Sequence, residues 1–167
     1  MTEVPSVPNL ILGVGNIIMG DDGFGVHVAR RLKDAALPPY VRVEEGGVGG
    51  LNLLGLLEGV GRLIIVDTMV TDKPDGELVF FRPGQGFGEP GKKAVSFHQL
   101  GVLELLQMWS LLGHEIEVYF LVTRPQNLSW GSRLSPPLQT AVDRAVEFLQ
   151  ELVCNNFASL ERGVPCM

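Results

Sequence analysis

The sequence predicts a single three-layer α/β domain over residues 1–167, a twisted, mostly parallel sheet of about five strands with helices on both faces. Three observations carry that expectation. Apolar runs of strand length alternate with stripes of helical period in the order β-α-β-α-β-β-α-β-α, the pattern of parallel strands joined by right-handed crossovers. The strongest runs are continuously apolar, as strands covered on both faces must be. No repeat, linker or low-complexity tract divides the chain, and its length suits one core at about 150 residues per domain.

The elements follow in order. Residues 9–14 (NLILGV) form a first strand that stops at Gly15. Asp21 or Asp22 then caps a helix with the stripe Phe24, Val28, Leu32 and Ala35, which Pro38 and Pro39 end. Residues 40–44 alternate as a second strand running into Gly46-Gly47, and Leu51, Leu54 and Leu57 mark a short helix. Residues 63–66 (LIIV) are the most strand-like run and end in Asp67. The Pro74-Asp75-Gly76 turn leads into residues 78–81, expected as an antiparallel neighbour at the sheet edge. After a Gly-rich loop at 84–91, Ser96 and Gln99 read as a capping box that opens a helix through Leu103, Leu106 and Leu111. Residues 117–122 form another strand, and Ser135-Pro136 opens the last helix, with the stripe Leu138, Val142, Ala145, Val146, Leu149 and Leu152. Residues 154–167 lose this period and are expected as a flexible tail.

Composition excludes several classes of function. With 13 basic against 19 acidic residues the net charge is −6, unsuited to a phosphate backbone, so no nucleic-acid partner is expected. Apolar types at 46% and charged types at 19% argue against disorder and coiled coil. The two cysteines, Cys154 and Cys166, are too few and too late for a disulfide framework or a zinc knuckle, which favours a cytoplasmic location. The longest uncharged run, residues 4–20, is broken by Pro5, Pro8, Asn9 and Asn16 and lacks a basic flank, so neither a signal peptide nor a membrane span is expected.

In such sheets ligands sit beyond the carboxyl ends of the strands, which selects residues 15–22, 45–50, 67–71 and 123–126, with His98 at a helix start over the same edge. Asp22 reads as a helix cap, but Asp21 beside it can serve instead and leave one carboxylate available. Asp67 ends a buried strand, where a carboxylate costs several kcal/mol unless it is capped, paired or bound to a metal. His98 reads as a surface residue or as a neutral imidazole, the metal-binding form, which the positive end of a helix dipole favours. Two oxygens and one nitrogen with an open position describe a catalytic site for a borderline divalent ion such as nickel or zinc. Rival signatures are absent. The glycines at 13–25 have the wrong spacing for a dinucleotide fingerprint and place two carboxylates at the helix entrance. His114-Glu115 has no second histidine behind it, and there is no G-x-S-x-G. His27 and His114 read as structural, and Trp109 and Trp130 as core or loop anchors.

The motifs G-V-G-N-x-x-x-G-D-D-G-F-G at 13–25, E-G-G-V-G-G at 45–50, L-I-I-V-D at 63–67 and S-F-H-Q-L-G at 96–101 resemble those of the hydrogenase maturation endopeptidases, with the likeness spanning residues 9–150. The resemblance implies a twisted, mostly parallel sheet between helix layers. It also implies an aspartyl-type endopeptidase that removes a C-terminal extension from the large subunit of a nickel-containing hydrogenase after nickel insertion. By motif matching, the family's catalytic and metal-binding positions fall on Asp22, Asp67 and His98. Relatives often carry Glu at the first position; Asp22 is one methylene shorter, and Asp21 is expected to substitute in part. Glu45-Gly46-Gly47 resembles an acid-Gly-Gly motif that lines the substrate cleft, and the loop at 84–93 is expected over a bound tail. The implied cofactor is nickel presented by the substrate, with zinc or cadmium occupying the same ligands in isolation. The implied partner is the large-subunit precursor. The alternatives are a non-catalytic nickel-sensing module or chaperone, and a nucleotide-binding α/β protein.

Overall fold

The computed structural model describes residues 8–48, 53–82 and 97–161. Five strands form one sheet: β1 (Asn9–Val14), β2 (Val41–Gly47), β3 (Arg62–Thr68), β4 (Leu78–Phe81) and β5 (Glu117–Thr123). Their order across it is β2-β1-β3-β5-β4, parallel except for β4, which runs antiparallel beside β5 at the edge as the Pro-Asp-Gly turn predicts. The helices are α1 (Phe24–Lys33), α2 (Leu54–Leu57), α3 (Phe97–Leu111), α4 (Pro136–Cys154) and α5 (Ala158–Glu161).

The apolar runs are continuous because alternate residues serve two cores. Ile11, Ile64 and Leu121 pack with Phe24, Leu32, Leu138 and Leu149 under α1 and α4. Leu10, Leu12, Leu63, Ile65 and Phe120 pack with Leu57 and Leu105 under α2 and α3. The direction of α3 bears on the site. Its end lies at the starts of the strands, where Trp109 and Ser110 line a cleft with Gly61 and Glu117. Its 15 residues extend about 22 Å, roughly a strand length, and His98 is the second of them.

Several local expectations are corrected. Neither Asp21 nor Asp22 caps α1: they lie in a 3-10 turn, Gly20–Gly23, and the cap position falls on Gly23 with no side-chain bond. Both carboxylates are used by loops instead. Ser135 holds the cap position of α4, but its hydroxyl donates to Asp21 rather than to the helix. Trp130 is no anchor, being 78% exposed, while Trp109 is half-buried and stacks on His114 with ring centroids 4.2 Å apart. The segment 154–161 is anchored at one residue: Phe157 is fully buried, with the Arg62 guanidinium 4.6 Å from its ring centroid, while Cys154, Asn155, Asn156 and Ala158 are exposed. Residues 162–167, the Ser96 cap, Leu51 and the loop at 84–93 lie outside the described residues.

The start of α1 meets the sheet backbone against backbone. A Cβ on Gly13 would lie 2.1 Å from the Gly25 carbonyl oxygen, and one on Gly25 would lie 2.0 Å from the Val66 oxygen and 2.5 Å from the Val14 oxygen. Only glycine allows this approach, which seats the chain between Asp22 and Gly25 directly over the ends of β1 and β3. Gly25→Ala should therefore cost about 3 kcal/mol or more of stability, an overpacking penalty with no flexible side chain to absorb it, as read from urea unfolding.

Candidate functional site

The parallel strands turn in opposite senses on either side of the β1–β3 pair: β1 leads to β2 on one flank and β3 leads toward β5 on the other. Sheets of this class open a ligand crevice at that switch point. Asp22 and Asp67 flank it. The 3-10 turn that carries Asp22 packs against β3. Asp67 lies within β3, one residue past Val66, whose carbonyl the Gly25 backbone abuts.

The three acids of this rim have different surroundings. Asp21 is fully buried and saturated. Its Oδ2 accepts from the backbone N–H groups of Gln126 and Asn127, each at 2.8 Å, and from the Ser135 hydroxyl at 2.7 Å. Its Oδ1 accepts from the Ser135 N–H at 2.7 Å. Four donors from one loop leave it no room to act as the substitute ligand expected from its position. Asp22 is half-buried, and its Oδ2 accepts from the Asn16 N–H at 3.0 Å, closing the glycine loop after β1. Asp67 is wholly buried, and its Oδ1 accepts from the Thr68 N–H at 2.8 Å.

His98 is the second residue of α3, and its side chain lies outside the described residues. Among the described residues no three carboxylate, imidazole or thiol groups come together as metal ligands. The two described carboxylates are hard oxygen donors of the kind that a divalent ion takes together with an imidazole.

Glu45 sits opposite Gly13 near the end of β2, and its carboxylate is taken up by α1. Arg30 Nε donates to it at 2.7 Å, and Lys33 lies 3.4 Å away. The Arg30 hydrogen bond, with Lys33 adding to it and burial opposing, holds Glu45 below the ordinary carboxylate range. Gly47 follows with φ +54°, and its carbonyl accepts from the Gly15 N–H at 2.8 Å. At His27, burial and then the neighbouring Arg30 lower the imidazole pKa. Sequence reasoning missed the exposed apolar positions of the rim, Ile18, Leu128 and Trp130. The signal was present as three large apolar residues in loops with no helical or strand period.

Comparison with known proteins places the chain among relatives. A family model described as hydrogenase maturation protease matches residues 26–152, a span that contains Asp67 and His98 and begins past Asp22. The hydrogenase expression/formation protein HupD of Bradyrhizobium diazoefficiens is 34% identical over 149 residues, covering 85% of this chain and 78% of its own. The hydrogenase 2 maturation protease of Escherichia coli is 32% identical over 141 residues, covering 83% of this chain and 85% of its own. The solved structure of the hydrogenase maturating endopeptidase HybD from E. coli superposes with a TM-score of 0.76 at 28% identity, over 95% of this chain and 96% of that one.

Two predictions follow from the electrostatics of the rim. Asp21→Ala leaves three backbone N–H groups and a hydroxyl without their acceptor and should cost about 3 kcal/mol in chemical denaturation. For Glu45, the folded pKa lies below the ordinary 4.5, so its contribution is full above that pH and is lost as pH falls through the folded value. Unfolding curves of Glu45→Gln and the parent should differ by no more than about 1 kcal/mol at neutral pH and converge in acid.

Proposed function

The chain belongs to the hydrogenase maturation protease family, a family of peptide hydrolases, and from that premise we propose that it removes the C-terminal extension of a nickel-containing hydrogenase large-subunit precursor after nickel insertion. The observation that carries this reading is the wholly buried carboxylate of Asp67 at the β1–β3 switch point, beside the turn that holds Asp22. Burying a carboxylate at a ligand crevice is costly unless a cation or donors meet it there.

In this reading nickel is part of the substrate. It arrives on cysteines of the precursor, and Asp22, Asp67 and His98 complete its surroundings, so a precursor without the ion is not held for cleavage. A cation at that place polarises a carbonyl and acidifies water. The carboxylates supply the proton acceptor that the attacking water requires, which is the aspartyl-type part of the chemistry. Water adds to the scissile carbonyl carbon, the C–N bond breaks, and the amine of the extension leaves with a proton. Zinc or cadmium fits the same donor set in the isolated protein.

Gly47 offers room for an extended tail, with no described atom within 4 Å of where its Cβ would stand, while Gly46 lets the strand end lie close on Val14, 2.9 Å from where its Cβ would stand. Glu45, held by Arg30 and Lys33, fixes that strand end against α1. Among the described residues no helix is long and apolar enough to cross a membrane. Processing is assigned to the cytoplasm, before any export of the client.

Mixing the purified protein with nickel-loaded and nickel-free precursor, and weighing the products by mass spectrometry, tests the proposal. The loaded precursor alone should be shortened. Asp67→Asn and His98→Ala should each slow that shortening by at least about a hundredfold, the scale of a group acting at the reacting atoms, while keeping cooperative unfolding. Normal processing by either variant refutes its assignment.

A further inference from the structure

Beside the crevice, the carboxyl rim presents apolar side chains to solvent: Ile18 and Leu128 are each 49% exposed and Trp130 is 78% exposed. They belong to two segments joined backbone to backbone. The Gly131 N–H donates to the Ile18 carbonyl at 2.9 Å, and the Gly20 N–H donates to the Gly131 carbonyl at 2.8 Å. Met19 and Gly131 are parallel bridge partners, which sets Trp130 in register with Ile18. Leu128 stands in a turn closed by Asn127 Oδ1, which accepts from the Ser129 N–H at 2.9 Å and from the Ser129 hydroxyl. The Asp21 carboxylate then fastens the base of this loop through Gln126, Asn127 and Ser135.

Exposed apolar groups on a loose loop can fold back and hide. These cannot, because the backbone beneath them is clamped at both ends. Holding a large aromatic in water at fixed geometry fits a contact surface formed in advance, since preorganisation lowers the entropy lost on association and aromatic anchors dominate interface energies.

We infer that Ile18, Leu128 and Trp130 form a docking ledge for an apolar segment of the large-subunit precursor next to its cleaved bond, with Asp21 as the positioning residue that holds the ledge in place. The inference rests on the function proposed above. Continuity with the crevice selects this occupant: the loop that bears Ile18 is tied to Asp22 through Asn16, so whatever covers the ledge also reaches the carboxylates. Charge is compatible with it, because residues 124–135, which bear Leu128 and Trp130, contain two arginines and no carboxylate in a chain of net charge −6. A second copy of this chain seated on the ledge would cover the crevice that the substrate must enter.

The test is steady-state processing of nickel-loaded precursor by the full chain, its L128A/W130A variant and, as a control at the opposite end of the sheet, L111A/L112A. The ledge variant should unfold at the parent's temperature, raise KM by at least about fivefold, as truncated interface anchors do, and keep kcat within about twofold. Trp130→Phe should recover most of the loss, and the control should leave KM unchanged. An unchanged KM in the ledge variant overturns the inference while the parent still cleaves, and so does an equal rise in the control. A parent that fails to shorten the loaded precursor overturns the functional reading and the ledge with it. If sedimentation shows a parent dimer that L128A/W130A dissociates without moving KM, the ledge belongs to a second copy and the inference falls.

Discussion

Asp21 holds a charge where no water reaches, and a single loop supplies the four donors that make this tolerable. A buried carboxylate stripped of its donors costs several kcal/mol, so the loop cannot leave without penalty and the carboxylate cannot be replaced by an apolar group without orphaning backbone N–H groups. The consequence is positional. The chain after β5 is pinned to the chain after β1, and the two flanks of the rim become one surface. Asp22, next in sequence, is thereby placed rather than left on a wandering turn.

The second constraint is steric. Gly13 and Gly25 let the start of α1 touch the strand backbones, with no side chain to hold it off. That contact brings the turn bearing Asp22 against the end of β3, where Asp67 is buried. Charges in such surroundings interact more strongly than in water. The three nearby acids differ in setting: Asp21 is wholly buried and takes four donors from one loop, Asp22 is half-buried and accepts from the Asn16 N–H, and Asp67 is wholly buried and accepts from the Thr68 N–H.

Much of the architecture was legible because it is written in local pattern. The two-sided burial of β1 and β3 shows as unbroken apolar runs, and the antiparallel edge shows in Pro74-Asp75-Gly76. The family, too, could be read from motif order. What escaped was set by partners far away in sequence. Asp21 looked like a cap because its true donor, Ser135, lies 114 positions on. Glu45 looked like a cleft residue only, since Arg30 and Lys33, 15 and 12 residues earlier, come near it only once α1 has packed against the sheet. Trp130 looked like a core or loop anchor because large aromatics usually are. Its exposure became intelligible only when the backbone pairing with Ile18 was seen.

The Asp21–Ser135 link also bears on how the protein comes into being. Asp21 precedes its donors Gln126, Asn127 and Ser135 by 105, 106 and 114 residues, so its carboxylate leaves the ribosome well before they do. Until the chain has been made past that serine, the rim has one flank and no clasp. The two flanks therefore meet only through tertiary folding, and this part of the rim is completed late in synthesis.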